Sequence, residues 1–251
     1  MTKQHKTGYP NRSGDGIYIT MPNLRGTVTF WVIMVCVGGY VGLALLNLLG
    51  VWSKQASYSW LGLSRIGLSH GMVWQIVTSP LLHFNVLHLV FNILVLAFLG
   101  VAVEQRLGRW GYVMFSLICA LAGSAGFLLL SHDRTIGAGY SGVIYGVTAA
   151  CAVFWPERII YMFFFFPMKM KWAMSLMALT ALFMTIESSD DAIAHAAHLG
   201  GAVAGFVYIK FWLQQDARKR SIAIAEQEVS RPPSKSRKKK HVPAIHVPDE
   251  L

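Results

Sequence analysis

A chain of 251 residues with 54% apolar and only 14% charged side chains has too little polar surface to cover a water-soluble globule, because soluble domains carry about 25% charged residues. The 22 Lys+Arg against 12 Asp+Glu give a formal net charge of +10, but the charges sit between long apolar runs. That distribution excludes a basic nucleic-acid binder and indicates a polytopic membrane protein. Cys36, Cys119 and Cys151 all lie inside apolar runs, which leaves neither a disulfide framework nor a thiolate metal motif.

In chain order, residues 1–27 form a polar tail. A hydrocarbon core about 30 Å thick needs about 20 helical residues. Runs that meet or approach this length fall near 28–52, 81–103, 110–131, 139–155, 172–186 and 192–213. The first run is not a cleavable signal, since a polar tail precedes it and no small-residue cleavage site follows. The stretch 159–168, with Phe163 to Phe166 and then Pro167, is too short to span and reads as a re-entrant or interfacial elbow. Residues 215–251, with Arg231-Pro232-Pro233 and Arg237-Lys238-Lys239-Lys240, are too charged and Pro-rich to pack. They are expected to form a basic, disordered cytoplasmic tail able to approach anionic headgroups. The fold expected over 28–214 is therefore an all-α, six-transmembrane-helix bundle. Six crossings put both tails and the loops after spans 2 and 4 on one side. Nineteen of the 22 Lys and Arg fall there, and only Lys54, Arg65 and Arg134 fall on the other. Both termini are thus expected to be cytoplasmic, in a bacterial-type plasma (inner) membrane.

Polar groups inside spans are the default functional candidates. Span 2 carries His88 and Asn92, at i and i+4 on one helical face. Span 4 opens with Gly139-Tyr140-Ser141-Gly142, and span 6 carries His195 and His198. Counting from Glu104, Glu157 and Asp216 at the inner ends, His88, Ser141 and His198 lie roughly 24–27 Å outward at 1.5 Å per residue. Three helices thus bring polar residues to one depth near the outer surface. A serine hydroxyl needs a positioned imidazole to take its proton, and the tetrahedral intermediate needs donors aimed at its oxyanion. Asn92, His88 and the Ser141 N–H, at a submerged helix N-terminus, suit that role. Close approach is provided by Gly142-x-x-x-Gly146 on span 4 and by His198, Gly201 and Gly205 at i, i+3 and i+7 on span 6. No acid lies within a span. Glu187, Asp190 and Asp191 in the loop before span 6 are the nearest on the outer side, so a dyad is expected. By spacing alone His195 could serve as the base instead. H-x-x-H could also bind zinc, but no H-E-x-x-H is present and no acid lies at that depth, so no metal and no cofactor is expected.

These residues resemble the rhomboid family of intramembrane serine proteases. The elements are His88-x-x-x-Asn92, Glu104-x-Arg106-x-Gly108, Gly139-x-Ser141-Gly142 and Ala197-His198-x-x-Gly201-x-x-x-Gly205, in the family order over roughly 70–210. The resemblance implies a six-helix core and a Ser–His dyad that hydrolyses transmembrane segments of protein substrates near the bilayer surface. It gives Ser141 the nucleophile role and His198 the base and acid roles, and it makes His88 and Asn92 the oxyanion donors with the Ser141 N–H. Tyr145 would pack on the base. It further implies that the segment near 53–80 lies partly in the outer leaflet and that span 5 acts as a gate. Trp74-Gln75 departs from the family's frequent Trp-Arg pair. Relatives that have lost the catalytic residues bind or escort membrane proteins, and this chain keeps them. A transporter would be expected to show internal repeats or charged residues in its spans; no repeat is present, and the one charge in a span, Lys210, can snorkel to the headgroups.

Overall fold

The computed structural model describes residues 23–133, 135–162, 165–186 and 192–230. Glu187, Asp190 and Asp191, and the tails 1–22 and 231–251, lie outside the described residues. The chain divides into two compact units, one ending at Phe206 and one beginning at Val207. The first carries everything described below except the last part of the final helix.

The elements are α1 (Val28–Leu48), α2 (Lys54–Leu61), α3 (Arg65–Ser69), α4 (Gln75–Thr78), α5 (Val86–Val95), α6 (Val101–Leu130), α7 (Ser141–Phe154), β1 (Ile159–Met162), β2 (Phe166–Lys169), α8 (Met170–Ile186) and α9 (Ala192–Ser230). Among the described residues, three helical segments are long and apolar enough to cross a membrane: Val28–Leu48, Val86–Leu130 and Ile193–Ile224. Helices α7 and α8 are shorter but apolar.

Helix α1 begins where the Thr27 side chain accepts the Phe30 N–H, the usual way to satisfy a first-turn donor. Its buried residues Thr29, Ile33 and Cys36 share one face, and it turns Trp31, Leu45 and Leu48 outward. Glu104, expected as the marker of the inner end of span 2 and as part of the Glu104-x-Arg106-x-Gly108 element, is itself buried. Its carboxylate accepts from the Val28 and Thr29 amides at 2.7 and 2.8 Å and from Thr29 Oγ1 at 2.7 Å. A carboxylate at a helix N-terminus is favourably placed in the field of the helix dipole. It also joins the start of α1 to α6.

Helix α5 passes through a single π turn, Leu96–Gly100, into α6. The run from 86 to 130 then breaks at Gly108, whose φ of +75° and ψ of 166° are not helical. Helix α7 is enclosed: Val143, Ile144 and every residue from Gly146 to Cys151 are buried. A helix buried all round has neighbours on every side.

The short stretch after α7 corrects the all-α expectation. Strands Ile159–Met162 and Phe166–Lys169 pair antiparallel, with Ile159 opposite Lys169 and Met162 opposite Phe166. Ile159, Ile160 and Tyr161 are strand-favouring residues, and the segment is too short for its backbone groups to be satisfied as a helix. Pairing two strands satisfies several of them. Pro167 is tolerated because both strands are edges. At the base of the hairpin, exposed Glu157 accepts from Lys169 at 2.7 Å and from Lys171. Those bonds, Lys169 first, hold its carboxyl down at about 2. The ion pair is therefore present above the ordinary carboxylate range and is lost only as pH falls toward that value.

Candidate active site

The loop before α7 is fixed from two directions. Leu63 and Gly137 exchange backbone hydrogen bonds, at 2.9 Å from Leu63 N and 2.8 Å from Gly137 N. The Gly139 amide donates to Ser79 O at 2.9 Å. Gly139 has φ +125°, and a Cβ there would lie 2.6–2.8 Å from Cε1 and Nε2 of His88. Both the backbone conformation and the imidazole against its Cα require glycine at this position.

Helix α7 then starts at Ser141. Its first intrahelical bond runs from Ile144 N to Tyr140 O, so helix geometry leaves the Ser141 amide free to bind developing negative charge. The Ser141 Oγ lies 2.8 Å from His198 Nε2. With the imidazole proton on Nδ1, the hydroxyl donates to Nε2, the arrangement in which the ring can take that proton. Tyr145, one turn along α7, stacks on the His198 ring with centroids 4.4 Å apart and planes 8° from parallel. Among the described residues, no group hydrogen-bonds His198 Nδ1, so no carboxylate among them completes a triad.

Glycines hold the serine and the imidazole this close. A Cβ on Gly201 would overlap the Gly142 carbonyl, and one on Gly205 would lie 2.6–2.7 Å from Gly146 Cα and O. The sequence pattern pointed to this contact between α7 and α9. It did not point to a second one: a Cβ on Gly200 would lie 2.5 Å from Ala122 O, and one on Gly123 would lie 3.2 Å from Ala197 O. Helix α9 therefore touches α6 and α7 nearly backbone to backbone, and the pairing of Gly200 with Gly201 was the signal available in the sequence.

Asn92 is buried, and among the described residues its Nδ2 has no hydrogen-bond partner. Its neighbour one turn back, His88, has its amide capped by Asn85 Oδ1 at 2.8 Å. The His88 ring meets His83 edge-on, with centroids 5.1 Å apart. His195 lies 5.8 Å from His198, ring centroid to centroid, at 81°. The hydroxyl bond to Ser141 is made by His198 and not by His195.

Ser141 and His198 line a cavity of about 270 Å³ whose other walls include Gly139, Gly142, Phe127 and Ala197. His88 and Asn92 are not among its lining residues. The first loop supports one wall through Gln75, whose role the sequence did not reveal. Gln75 is fully buried. Its Oε1 accepts from Ser64 N at 3.1 Å, and its Nε2 donates to Ser59 O at 2.9 Å. Trp74 Nε1 donates to Trp60 O at 2.8 Å, and the two indoles stack. The amide thus ties together the loop that carries Leu63. Among the described residues there is no cluster of His, Cys, Asp or Glu able to hold a metal ion.

A mostly helical, membrane-embedded chain with a serine–imidazole pair at a helix N-terminus belongs to the class of polytopic membrane proteins with a hydrolase-like site. The family model of the Rhomboid domain matches residues 70–215, more than half of the chain, and the chain belongs to the rhomboid family. It is 28% identical over 209 residues to the rhomboid protease GlpG of Yersinia enterocolitica, covering 80% of this chain and 67% of that protein. It is 27% identical over 202 residues to the rhomboid protease GlpG of Yersinia pestis (strain Pestoides F), covering 77% and 65%. The chain thus spans about two thirds of the length of these relatives. Its apolar helices and its family make it an integral membrane protein.

Proposed function

We propose that this chain is an intramembrane serine endopeptidase that cleaves transmembrane segments of other membrane proteins near the outer surface of the bilayer. The observation that carries this reading is the 2.8 Å contact between Ser141 Oγ and His198 Nε2 at the start of α7, beside a cavity. The names of the relatives, rhomboid proteases, support it.

In this reading the break at Gly108 makes 86–130 two crossings, and α1, α7, α8 and α9 supply four more. The orientation that puts the cationic loops inside leaves both termini cytoplasmic, in a bacterial inner membrane. His198 takes the Ser141 proton as Oγ attacks a peptide carbonyl. The oxyanion is met by the Ser141 N–H, with the side chains of Asn92 and His88 as further donors. His198 then gives the proton to the leaving amine, and water hydrolyses the acyl-enzyme by the same steps in reverse. Tyr145 keeps the imidazole plane fixed throughout. A helical segment hides its carbonyls in its own hydrogen bonds, so the substrate must unwind locally, and small or helix-breaking residues at the cleavage point favour the reaction. The glycine and alanine walls of the cavity suit a narrow, extended segment.

The test is cleavage of a transmembrane reporter in proteoliposomes. Ser141→Ala is expected to abolish turnover and leave thermal unfolding in detergent unchanged. Wild-type turnover in that variant refutes the nucleophile assignment.

A further inference from the structure

A second cavity, of about 170 Å³, opens between the end of α1, helix α2 and the segment before α5. Its polar walls are Tyr40, Asn47, Lys54, Ser57, Tyr58 and His83. Among the described residues no acidic side chain lines it. Lys54 Nζ makes one long bond, 3.4 Å to Phe84 O, and stands 5.9 Å from the Tyr58 ring centroid. Its remaining N–H groups are available at the first turn of α2, an end that favours negative charge. Tyr58 donates to His83 O at 2.6 Å and fixes the segment.

His83 is the feature that this chain does not explain. It is 2% exposed; the Leu81 backbone carbonyl lies near the ring, but among the described residues neither ring nitrogen makes a well-formed hydrogen bond. An imidazole always carries at least one N–H, and burying that donor unpaired is unfavourable. The ring lines the cavity, so the partner it lacks belongs in the cavity. One ammonium, one buried imidazole and neutral polar side chains, with no carboxylate, suit an anion and reject a metal cation. Leu43, Ala44 and Leu82 complete an apolar wall beside them.

We infer that this cavity is a second binding site that takes a phosphoryl anion, with Lys54 supplying the charge and His83 the buried donor. In the orientation proposed above the cavity lies at the outer headgroup level, so the phosphoryl group comes from either a phospholipid headgroup or free phosphate. His83 meets His88 edge-on at 5.1 Å, so an occupant that orients His83 also bears on His88. That coupling to turnover rests on the proteolytic reading, and the binding itself does not.

The experiment uses the full chain, labelled with [13C]histidine, in maltoside micelles, which carry no phosphoryl group. The His83 resonance is identified by its loss in His83→Asn. Inorganic phosphate is then titrated at constant ionic strength against chloride. The expected result is a saturable shift of the His83 resonance. Lys54→Gln should weaken that binding at least tenfold, and Ala44→Phe, which fills the cavity, should abolish it. The same resonance is followed in the same micelles with and without added phosphatidylglycerol. A shift with the lipid alone assigns the headgroup as ligand, and a shift with phosphate alone assigns the free anion. No shift with either, as for a cavity that holds only water, overturns the proposal. So does an equal shift in Lys54→Gln and Ala44→Phe. Turnover that responds to phosphatidylglycerol in the wild type but not in Lys54→Gln is expected from the coupling, and an equal response in both overturns it.

Discussion

Ser141 is an ordinary hydroxyl until its surroundings act on it, and each acting group is a single residue. The imidazole of His198 is within one hydrogen bond, and Tyr145 holds its plane. Asn92 Nδ2 is a buried donor without a partner among the described residues, the state expected of a group whose acceptor appears only during reaction. Asn92→Ala, or His88→Ala, is expected to lower turnover by about 10²–10³, as for other single oxyanion donors, with little change in KM. An unchanged rate in both single variants and in the double variant would remove them from the oxyanion site. Glu104 acts on stability rather than chemistry. Glu104→Gln places an amide donor where three donors already converge. Thermal unfolding in detergent is expected to show a loss of about 2–4 kcal/mol. The candidate site residues could be picked out in the sequence because polar side chains in apolar runs stand out and because Ser141, His88 and His198 lie at matching distances from charged inner ends. Glu104 and Gln75 were not, because burial of a polar side chain depends on partners brought in from elsewhere: Val28 and Thr29 for one, Ser59 and Ser64 for the other.

Among the elements, α7 and α9 matter most, since their separation sets the distance from hydroxyl to imidazole. Two glycines with similar local sequence make opposite predictions. Gly201→Ala puts a methyl group into the Gly142 carbonyl, a backbone atom that cannot swing aside. The helices must part, and a displacement of about 1 Å at a reacting pair costs on the order of 10²-fold in rate. Gly38→Ala meets nothing within 4 Å. It is expected to leave turnover unchanged and to stabilise α1 by about 0.5–1 kcal/mol. Equal effects of the two substitutions on turnover would show that close helix contact does not govern the site. The membrane helices were legible from apolar run length, which is why α1, α8 and the start of α9 fall near their expected limits. The hairpin was not, because four consecutive phenylalanines read as an apolar block and conceal the alternation of a short strand. Helices α2, α3 and α4 were missed as well. They are too short and too polar for periodicity, and caps from Ser53 and Ser64 start the first two.

For the molecule as a whole, the fold keeps a polar site inside an apolar bundle by surrounding it with small residues and fixed backbone. Helix α7 is enclosed and carries the serine at its first position. The first loop is knit by Gln75, Trp74 and Thr78 to its own backbone and bridged to Gly137. The order of motifs along the chain implied this arrangement. The rest of the means of holding it, a polar network in the first loop and the glycine contact of α9 with α6, became visible only in three dimensions. The most direct measurement of the central claim is labelling with a fluorophosphonate, with the adduct mapped by mass spectrometry. The account predicts a single adduct on Ser141 in the wild type, and labelling lost in His198→Ala but retained in His195→Ala. An adduct on another residue, or labelling that survives His198→Ala and vanishes in His195→Ala, would contradict it.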